Sequence, residues 1–289
     1  MSRKAKLFIV ITYGLSFFLA GIFYFAGGRL NTTAGYVMAI VYMYMPLLGT
    51  LIVQKGIYGQ SIIKALGINF KINRWWLAAV LLPIVIALLT MIVSILFPGV
   101  TFSPGMEGMI ERYQDILSPE IIAELEQLEL GLSFLLLQLV QVIVAAVTIN
   151  NLAAFGEELG WRGVLHTEFD KMGFWRKSVY IGIIWGLWHT PLIIQGHNYP
   201  NYPLWGVLMM VVFTVLYSPL FTYLRELSDS VIGASILHGA VNGSIGFSIM
   251  FVSGGNELLV GGTGLAGFIV LIFVNIGIYF HRRKHLGKK

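Results

Sequence analysis

The sequence predicts an all-α fold: a polytopic membrane protein built as a bundle of eight transmembrane helices, with residues 1–289 in a single transmembrane domain. Of the 289 residues, 57% are hydrophobic and only 11% are charged, whereas soluble domains carry about 25% charged residues. The mean hydropathy is +0.79. Eight apolar segments are each long enough to cross a hydrocarbon core of about 30 Å. No segment between them is long enough to form a separate soluble domain.

The predicted spans fill most of the chain. They cover residues 7–27, 34–53, 76–97, 132–155, 178–195, 204–224, 230–252 and 264–280. The first follows the basic residues Arg3, Lys4 and Lys6, as the apolar part of a signal peptide would. Because this run lacks a clear small-residue cleavage site and is about 20 residues long, we expect it to be retained as a span.

The basic residues assign an orientation to these spans. With the N-terminus in the cytoplasm, all 19 Lys and Arg residues except Arg29 and Arg112 fall on the cytoplasmic side. Cytoplasmic loops of membrane proteins carry such an excess of Lys and Arg. Adding or removing one span would scatter this distribution, so it predicts eight spans with both termini cytoplasmic.

Composition also excludes several classes of function. Cysteine is absent, which excludes disulfides, thiolate catalysis and cysteine-bound metal. The net charge of +5 reflects membrane topology, and we expect no nucleic-acid partner. The partner that the composition does predict is the lipid bilayer.

The two longest connections between spans differ in character. In the acidic outer segment 99–131, Ser118 and Pro119 predict the start of a short helix. Its apolar stripe comprises Ile121, Ile122, Leu125 and Leu128. We expect this helix to lie on the outer membrane surface or to cover the bundle rather than to act as a substrate lid. The basic inner segment 54–74 is expected to lie at the inner interface as an amphipathic helix.

Residues 155–163, Phe-Gly-Glu-Glu-Leu-Gly-Trp-Arg-Gly, place three ionisable groups directly after span four. Such groups are costly in or near hydrocarbon and are usually functional. Glu158 and Arg162 stand at i and i+4, which places them on one helix face as an ion pair. Glu157 is rotated about 100° away and has no such partner in the stretch. The spacing therefore predicts one carboxylate held in an ion pair and one free for chemistry.

Two later spans carry further polar groups. Span five contains His189 one turn after Trp185, and Pro191 is expected to bend the span just beyond the histidine. Span seven contains His238 and Asn242, which share a helix face. Taken singly, each of these side chains has a structural explanation, because polar side chains within spans often bond neighbouring helices.

Together, however, these side chains supply the parts of a hydrolytic site. A carboxylate or an imidazole activates water as a general base. A second imidazole and an amide can stabilise the oxyanion of a tetrahedral intermediate. Trp161, Trp185 and Trp188 would supply an apolar wall. The chain has no HExxH helix, GxSxG elbow or GxxxxGK loop that would point to another catalytic class.

The motifs resemble those of the CAAX-protease and bacteriocin-processing membrane family, often called Abi proteins, which includes the type II CAAX prenyl endopeptidase. Within residues 155–242 they are Glu157-Glu158-x-x-x-Arg162, Trp185-x-x-x-His189 and His238-x-x-x-Asn242. Each motif alone is weakly specific, whereas three in order on separate predicted spans are strongly specific. The family usually has Phe at the position of Trp185, a difference that affects pocket shape more than chemistry.

The resemblance implies an intramembrane endopeptidase of the glutamate type that uses no metal. On this basis, Glu157 and His189 would activate a water molecule. His238 and Asn242 would form the oxyanion hole. The substrate would be a peptide or a membrane protein. It is prenylated in the eukaryotic relatives, but nothing in this sequence identifies prenyl recognition.

The same resemblance gives supporting roles to Glu158 and Arg162, which would orient the site, and to the aromatic Trp185. An alternative takes Glu157, His189 and His238 as zinc ligands, since two histidines and a carboxylate form a known catalytic zinc set. The sequence alone does not separate the two mechanisms, although the resemblance favours the metal-free one.

Other classes of function also remain open at this point. A non-catalytic bacteriocin-immunity or regulatory membrane protein could use the same fold. A transporter is disfavoured because the chain shows no inverted repeat.

The predicted boundaries place the site residues at different depths. Glu157 falls at the inner end of span four, whereas His238 lies about 12 Å into span seven and His189 about 17 Å into span five, at about 1.5 Å per residue. We expect span four to start later, which would carry Glu157 deeper and leave residues 161–174 at the inner interface. The site would then lie in the cytoplasmic half of the membrane and receive water from that side.

Overall fold

The computed structural model describes residues 1–103, 105, 108, 110, 119–127 and 132–285, and it is mainly helical, as predicted. The α-helices are α1 Arg3–Phe25, α2 Thr33–Met43, α3 Met45–Thr50, α4 Ile63–Leu66, α5 Arg74–Ser94, α6 Pro119–Glu126, α7 Leu132–Val147, α8 Ile149–Glu158, α9 His166–Glu168, α10 Phe174–Trp188, α11 Thr190–Ile194, α12 Pro203–Ser228, α13 Val231–Ser244 and α14 Leu265–His285. The remaining elements are π-helices at Leu51–Ile57 and Leu159–Leu165, 3-10 helices at Asp170–Met172 and Ile245–Ser248, and strands β1 Thr101–Phe102 and β2 Val252–Ser253.

Several of these helices are long and apolar enough to cross a membrane, so the protein is a multi-pass membrane protein. In the described part of the chain there are five: Arg3–Phe25, Thr33–Ile57, Arg74–Ser94, Pro203–Ser228 and Leu265–His285. A bent pair of helices, Leu136–Val147 with Ile149–Glu168 at 44°, would be a sixth if the two form one span. The other two predicted spans contain α10 with α11, and α13, which are shorter. The count of eight and the orientation therefore stay predictions.

Helix starts follow from local sequence. Polar side chains at the N-caps of α1, α2, α5 and α13 accept a hydrogen bond from a first-turn backbone N–H group, as N-cap residues do: Ser2, Thr32, Asn73 and Ser230. Proline occupies the first turn of α11 and α12, where its missing N–H group carries no penalty. The break between α10 and α11 falls at His189, whereas the bend expected near Pro191 stays a prediction.

Helix α13 forms the centre of the bundle. Every residue from Val231 to Val241 is buried, as expected for a helix enclosed on all sides. It packs against α5, α7, α8 and α12, while α10 packs along α12. The centre of the bundle therefore holds the span that carries His238 and Asn242.

Contacts between connections define two ends of the bundle. At the first, which we call the strand end, β1 pairs with β2, and the Tyr199 hydroxyl donates to the Thr263 carbonyl at 2.7 Å. At the opposite end, which we call the basic end, Lys4 lies 3.3 Å from Glu168, and Glu226 binds Lys177 and Arg282 at 3.1 and 2.6 Å. Both chain termini approach the basic end.

Three sequence-based expectations need correction. Span four does not end at residue 155, because helical structure continues through Leu159–Leu165 to Glu168. The helix of span seven ends at Ser244, short of residue 252. The amphipathic helix expected within 54–74 is only the single turn Ile63–Leu66, because a left-handed glycine, Gly67, ends it.

The short helix expected in segment 99–131 is present as α6, and no residue in it is buried. Two residues named in that expectation, Ser118 and Leu128, lie outside the described part of the chain. Whether the helix contacts the membrane surface or acts as a lid stays a prediction.

Close approach of α10 to α12 depends on two glycines one turn apart. A Cβ atom at Gly182 would lie 2.7 Å from the Val215 Cα atom, and one at Gly186 would lie 2.6 Å from the Val211 Cα atom.

Overpacking of this kind costs about 1–3 kcal/mol. Gly182→Ala is therefore expected to lower the melting temperature of the detergent-solubilised protein. Gly14→Ala is the control, because no atom lies within 4 Å of its Cβ position, and equal melting temperatures for the two variants would contradict this packing.

Candidate active site

The helical segment after the bend places Glu157 in the interior of the bundle. Residues 156–165 are all buried, and Glu157 stands about 16 Å from the end of the segment at Glu168, at about 1.5 Å per residue. Glu157 therefore lies well inside a helical segment and not at its end. The depth of Glu157 in the membrane and a later start of span four stay predictions. Trp161–Leu165 is buried in the protein interior.

Glu158 and Arg162 form the predicted ion pair. The Arg162 Nη1 atom lies 3.2 Å from the Glu158 Oε2 atom, and both side chains are 0% exposed. The guanidinium also donates to the Ser218 hydroxyl at 3.2 Å. Its Cζ atom lies 4.8 Å from the centre of the Trp185 ring and 4.3 Å from that of Phe221. The charge is thus held between two aromatic faces, which favour cations.

Glu157 has partners that the spacing argument did not foresee. Its Oε2 atom accepts hydrogen bonds from the indole N–H groups of Trp185, at 2.8 Å, and Trp161, at 3.3 Å. Trp161 lies within the stretch where no ion-pair partner was expected, and it is a neutral donor rather than a cation. The Oε1 atom has no hydrogen-bond partner among the described residues. One oxygen of Glu157 is therefore fixed and the other is available.

Both histidines are oriented through their Nδ1 atoms. The Nδ1 atom of His189 lies 2.8 Å from the Trp185 carbonyl oxygen. A carbonyl only accepts, so Nδ1 carries the proton and Nε2 of the neutral ring is an acceptor. The Nδ1 atom of His238 lies 2.9 Å from Glu158 Oε1, and the carboxylate paired with Arg162 accepts from it. In each ring, Nε2 is the atom left for chemistry.

A cavity of about 310 Å³ brings the predicted site residues together. Glu157, His189, His238 and Asn242 all line it, and so does Trp185. The Asn242 side chain is exposed to this space, and its amide has no hydrogen-bond partner in the part of the chain that the structure describes. Glu158 and Arg162 lie behind the cavity wall, from where they hold His238. The four residues to which the resemblance gives catalytic roles therefore line the cavity. The Glu158–Arg162 pair, to which it gives a supporting role, does not.

The cavity extends toward the end of the bundle opposite to the one expected. Its lining residues from connections are His197, Asn198 and Thr263, all at the strand end. Among the described residues, none of its lining comes from the connections at the basic end. The side of the membrane from which water reaches the site stays a prediction.

The zinc alternative, in which Glu157, His189 and His238 bind one ion, stays a prediction. Among the described residues, no group of three His, Asp or Glu side chains is arranged to hold a metal ion.

Several residues around the site were not found by sequence reasoning. Tyr42 donates to the Trp188 carbonyl at 2.7 Å and lines the cavity, and Ser218 bonds the buried guanidinium. A tyrosine or serine in a span carries no distinctive signal. His197 and Asn198 were missed for another reason: the search considered polar residues within spans, and these two lie in the connection after α11.

Part of the chain is similar to a known family and to a known protein. Residues 133–244, a range that contains all three motifs, match the family model described as type II CAAX prenyl endopeptidase Rce1-like. The resemblance inferred from the motifs is therefore confirmed. CAAX prenyl protease 2 of Methanococcus maripaludis is 32% identical over 97 residues, which make up 32% of this chain and 36% of that protein. The similarity covers about a third of the relative's length.

Removing Arg162 tests the buried ion pair. Arg162→Ala leaves Glu158 charged and without its cation in the interior, which costs about 3–5 kcal/mol. We expect a strongly reduced yield of folded protein and a lower melting temperature. Asp170→Ala is the control, because it also removes an ion-pair partner, that of Lys177 at 3.4 Å, but Asp170 is 77% exposed. Such a pair contributes about 0–1 kcal/mol, so a similar loss in both variants would contradict the assignment.

Proposed function

We propose that the protein is an intramembrane endopeptidase that hydrolyses a peptide bond with a water molecule activated by Glu157 and His189. The observation that carries this proposal is the Glu157 carboxylate: one oxygen is fixed by two indoles, and the other is free in a cavity that also contains two histidines and an amide. The match to the CAAX prenyl endopeptidase family supports the same reaction class. The substrate is a peptide or a membrane protein.

The proposed reaction begins with a water molecule in the cavity. The free oxygen of Glu157 takes one proton from this water, while Nε2 of His189 accepts a hydrogen bond from it. The water oxygen attacks the carbonyl carbon of the substrate. Glu157 then gives the proton to the leaving amine nitrogen, which breaks the C–N bond and regenerates the carboxylate.

The negative charge on the carbonyl oxygen needs donors on the other side of the substrate. Asn242 supplies an amide N–H group, and protonated His238 supplies Nε2–H, since its Nδ1 atom is bonded to Glu158. Donors fixed before the reaction stabilise such an oxyanion strongly, and losing one costs about 10²–10³ in kcat. Glu158 and Arg162 act in this scheme only by orienting His238. The scheme assigns no step to a metal.

Glu157→Gln is the most informative substitution for this proposal. The amide keeps the size of the side chain and still accepts from the indoles, but it does not take a proton from water. Because general-base catalysis contributes about 10²–10⁴-fold, we expect that variant to lose at least that much hydrolysis at an unchanged melting temperature. Quantitative proteomics of membranes carrying wild-type or Glu157→Gln protein should reveal an uncleaved peptide that accumulates in the variant.

Glu124→Gln on the exposed helix α6 is the matched control and should leave the peptide profile unchanged. Identical membrane peptides in wild type and Glu157→Gln would contradict the protease function. If the variant also protected cells from a bacteriocin as well as wild type does, a non-catalytic immunity role would be favoured instead.

We also propose that eight segments cross the membrane with both termini in the cytoplasm. The basic residues support this, since Lys4, Lys177, Arg225 and Arg282 cluster at the end that holds both termini. At the strand end, Arg29 is the only Lys or Arg residue in the described connections. With this orientation, the cavity opens to the non-cytoplasmic side.

The orientation is testable because the chain contains no cysteine. Asn201→Cys, at the strand end, and Lys71→Cys, at the basic end, each introduce a single exposed thiol. A membrane-impermeant maleimide added to intact cells should label Asn201→Cys, whereas Lys71→Cys should react only after permeabilisation. The reverse pattern would place the cavity opening in the cytoplasm.

A further inference from the structure

The connection between α11 and α12 places two polar side chains in the cavity that the proposed reaction does not use. His197 and Asn198 line the same space as Glu157 and His189. They come from the strand end of the bundle, whereas the reacting groups come from helices. A peptide that reaches Glu157 from that end passes them first.

The backbone of this connection is held in place on several sides. The His197 N–H group donates to the Leu192 carbonyl at 3.0 Å, and the Tyr199 N–H group donates to the His197 carbonyl at 2.8 Å. The buried Tyr199 ring packs on Gly206, where a Cβ atom would lie 2.7 Å from the ring. Its hydroxyl bonds the Thr263 carbonyl. The two polar side chains therefore project from a fixed loop.

Asn198 has a φ of 60°, in the left-handed region that disfavours most side chains. Asparagine tolerates this region better than other non-glycine residues. This conformation turns the chain sharply between the buried Tyr199 and the cavity. An asparagine here can adopt the left-handed backbone conformation and also places an amide in the cavity wall.

Neither His197 nor Asn198 makes a side-chain hydrogen bond to the described residues. Two other polar side chains of the cavity wall are bonded to protein: Tyr42 to the Trp188 carbonyl, and Thr214 to the Gly182 carbonyl at 2.9 Å. Burial lowers the pKa of the His197 imidazole to about 4, so the ring is neutral at pH 7. A neutral imidazole and an amide each offer one donor and one acceptor side. This chemistry matches a peptide backbone and gives no charge with which to hold a carboxylate or phosphate.

We propose that His197 and Asn198 are positioning residues that bind the uncharged backbone of the substrate peptide beside the scissile bond. This inference rests on the proposed function and adds to it the form of the substrate: an extended peptide segment with free N–H and C=O groups at the strand end of the cavity. Met210, Phe213 and Ile245 line the same cavity and offer apolar contact to its side chains. Each lost hydrogen bond of this kind weakens binding by about 5–10-fold.

The variants are chosen to preserve the loop. Asn198→Gly removes the amide but suits the left-handed backbone, and His197→Ala removes the ring. Asn201→Gly is the matched control, because it alters an exposed asparagine of the same loop that does not line the cavity. The probe is a photo-crosslinking octapeptide, acetylated at its N-terminus and amidated at its C-terminus, with uncharged side chains and a central benzoylphenylalanine.

Crosslinking is measured against probe concentration in detergent, with mass spectrometry to locate the product. We expect crosslinks to cavity residues in wild type and in Glu157→Gln protein, and a Kd raised about 5–10-fold in each loop variant. Asn201→Gly should leave the Kd unchanged. With a cleavable peptide, KM should rise by the same factor while kcat stays within about twofold, a split that general destabilisation would not produce.

Three results would overturn the proposal: no cavity crosslink in wild type, the same Kd in wild type and both loop variants, or a fall in kcat at unchanged KM. Binding without cleavage in wild type would instead leave this inference standing and contradict the proposed function. Cleavage by wild type, with unchanged affinity in the loop variants, would contradict this inference and leave the proposed function standing.

Discussion

The ion pair between Glu158 and Arg162 is the interaction on which the rest of the site depends. Both side chains are fully buried, and burial of two charges is unfavourable unless they are paired and well bonded. The pair is surrounded by residues from elements far apart in the chain: Ser218 and Phe221 from α12, Trp185 from α10 and His238 from α13. Satisfying one buried charge pair thus draws four helical segments to one point.

The same arrangement gives the two adjacent carboxylates different surroundings. Glu158 is committed to Arg162 and to the Nδ1 atom of His238. Glu157, one residue earlier, points about 100° away around the helix and meets indole N–H groups instead of a cation. Two neutral donors hold one oxygen without balancing its charge. The carboxylate is therefore fixed in position but still able to take a proton.

Local spacing was sufficient to predict the parts of this site that lie within single helices. The pairs Glu158–Arg162 and His238–Asn242 follow from i, i+4 geometry. Features that depend on tertiary contacts were not predictable. The indole of Trp185 reaches Glu157 across 28 positions of sequence. The helices Leu136–Val147 and Ile149–Glu168 meet at 44° beside Thr148, where no proline or glycine signals a bend.

The sequence also did not predict the end of the bundle toward which the cavity extends. Hydropathy assigned Glu157 to the inner end of a span, because apolar residues stop at Phe155. The structure continues the helix through charged and glycine-rich sequence, because neighbouring helices cover it. His197 and Asn198 also line the cavity. They lie in a connection between predicted spans, where hydropathy gives no information about a site.

The central claim is that Glu157, and not Glu158, faces the reacting atoms. It is tested most directly by an experimental structure with a bound peptide aldehyde, whose hydrated carbonyl mimics the tetrahedral intermediate. The account predicts one hydrate oxygen within about 2.6–3.2 Å of Glu157 and the other within reach of Asn242 and the Nε2 atom of His238. An analogue bound with its hydrate against Glu158, or away from all three groups, would contradict it.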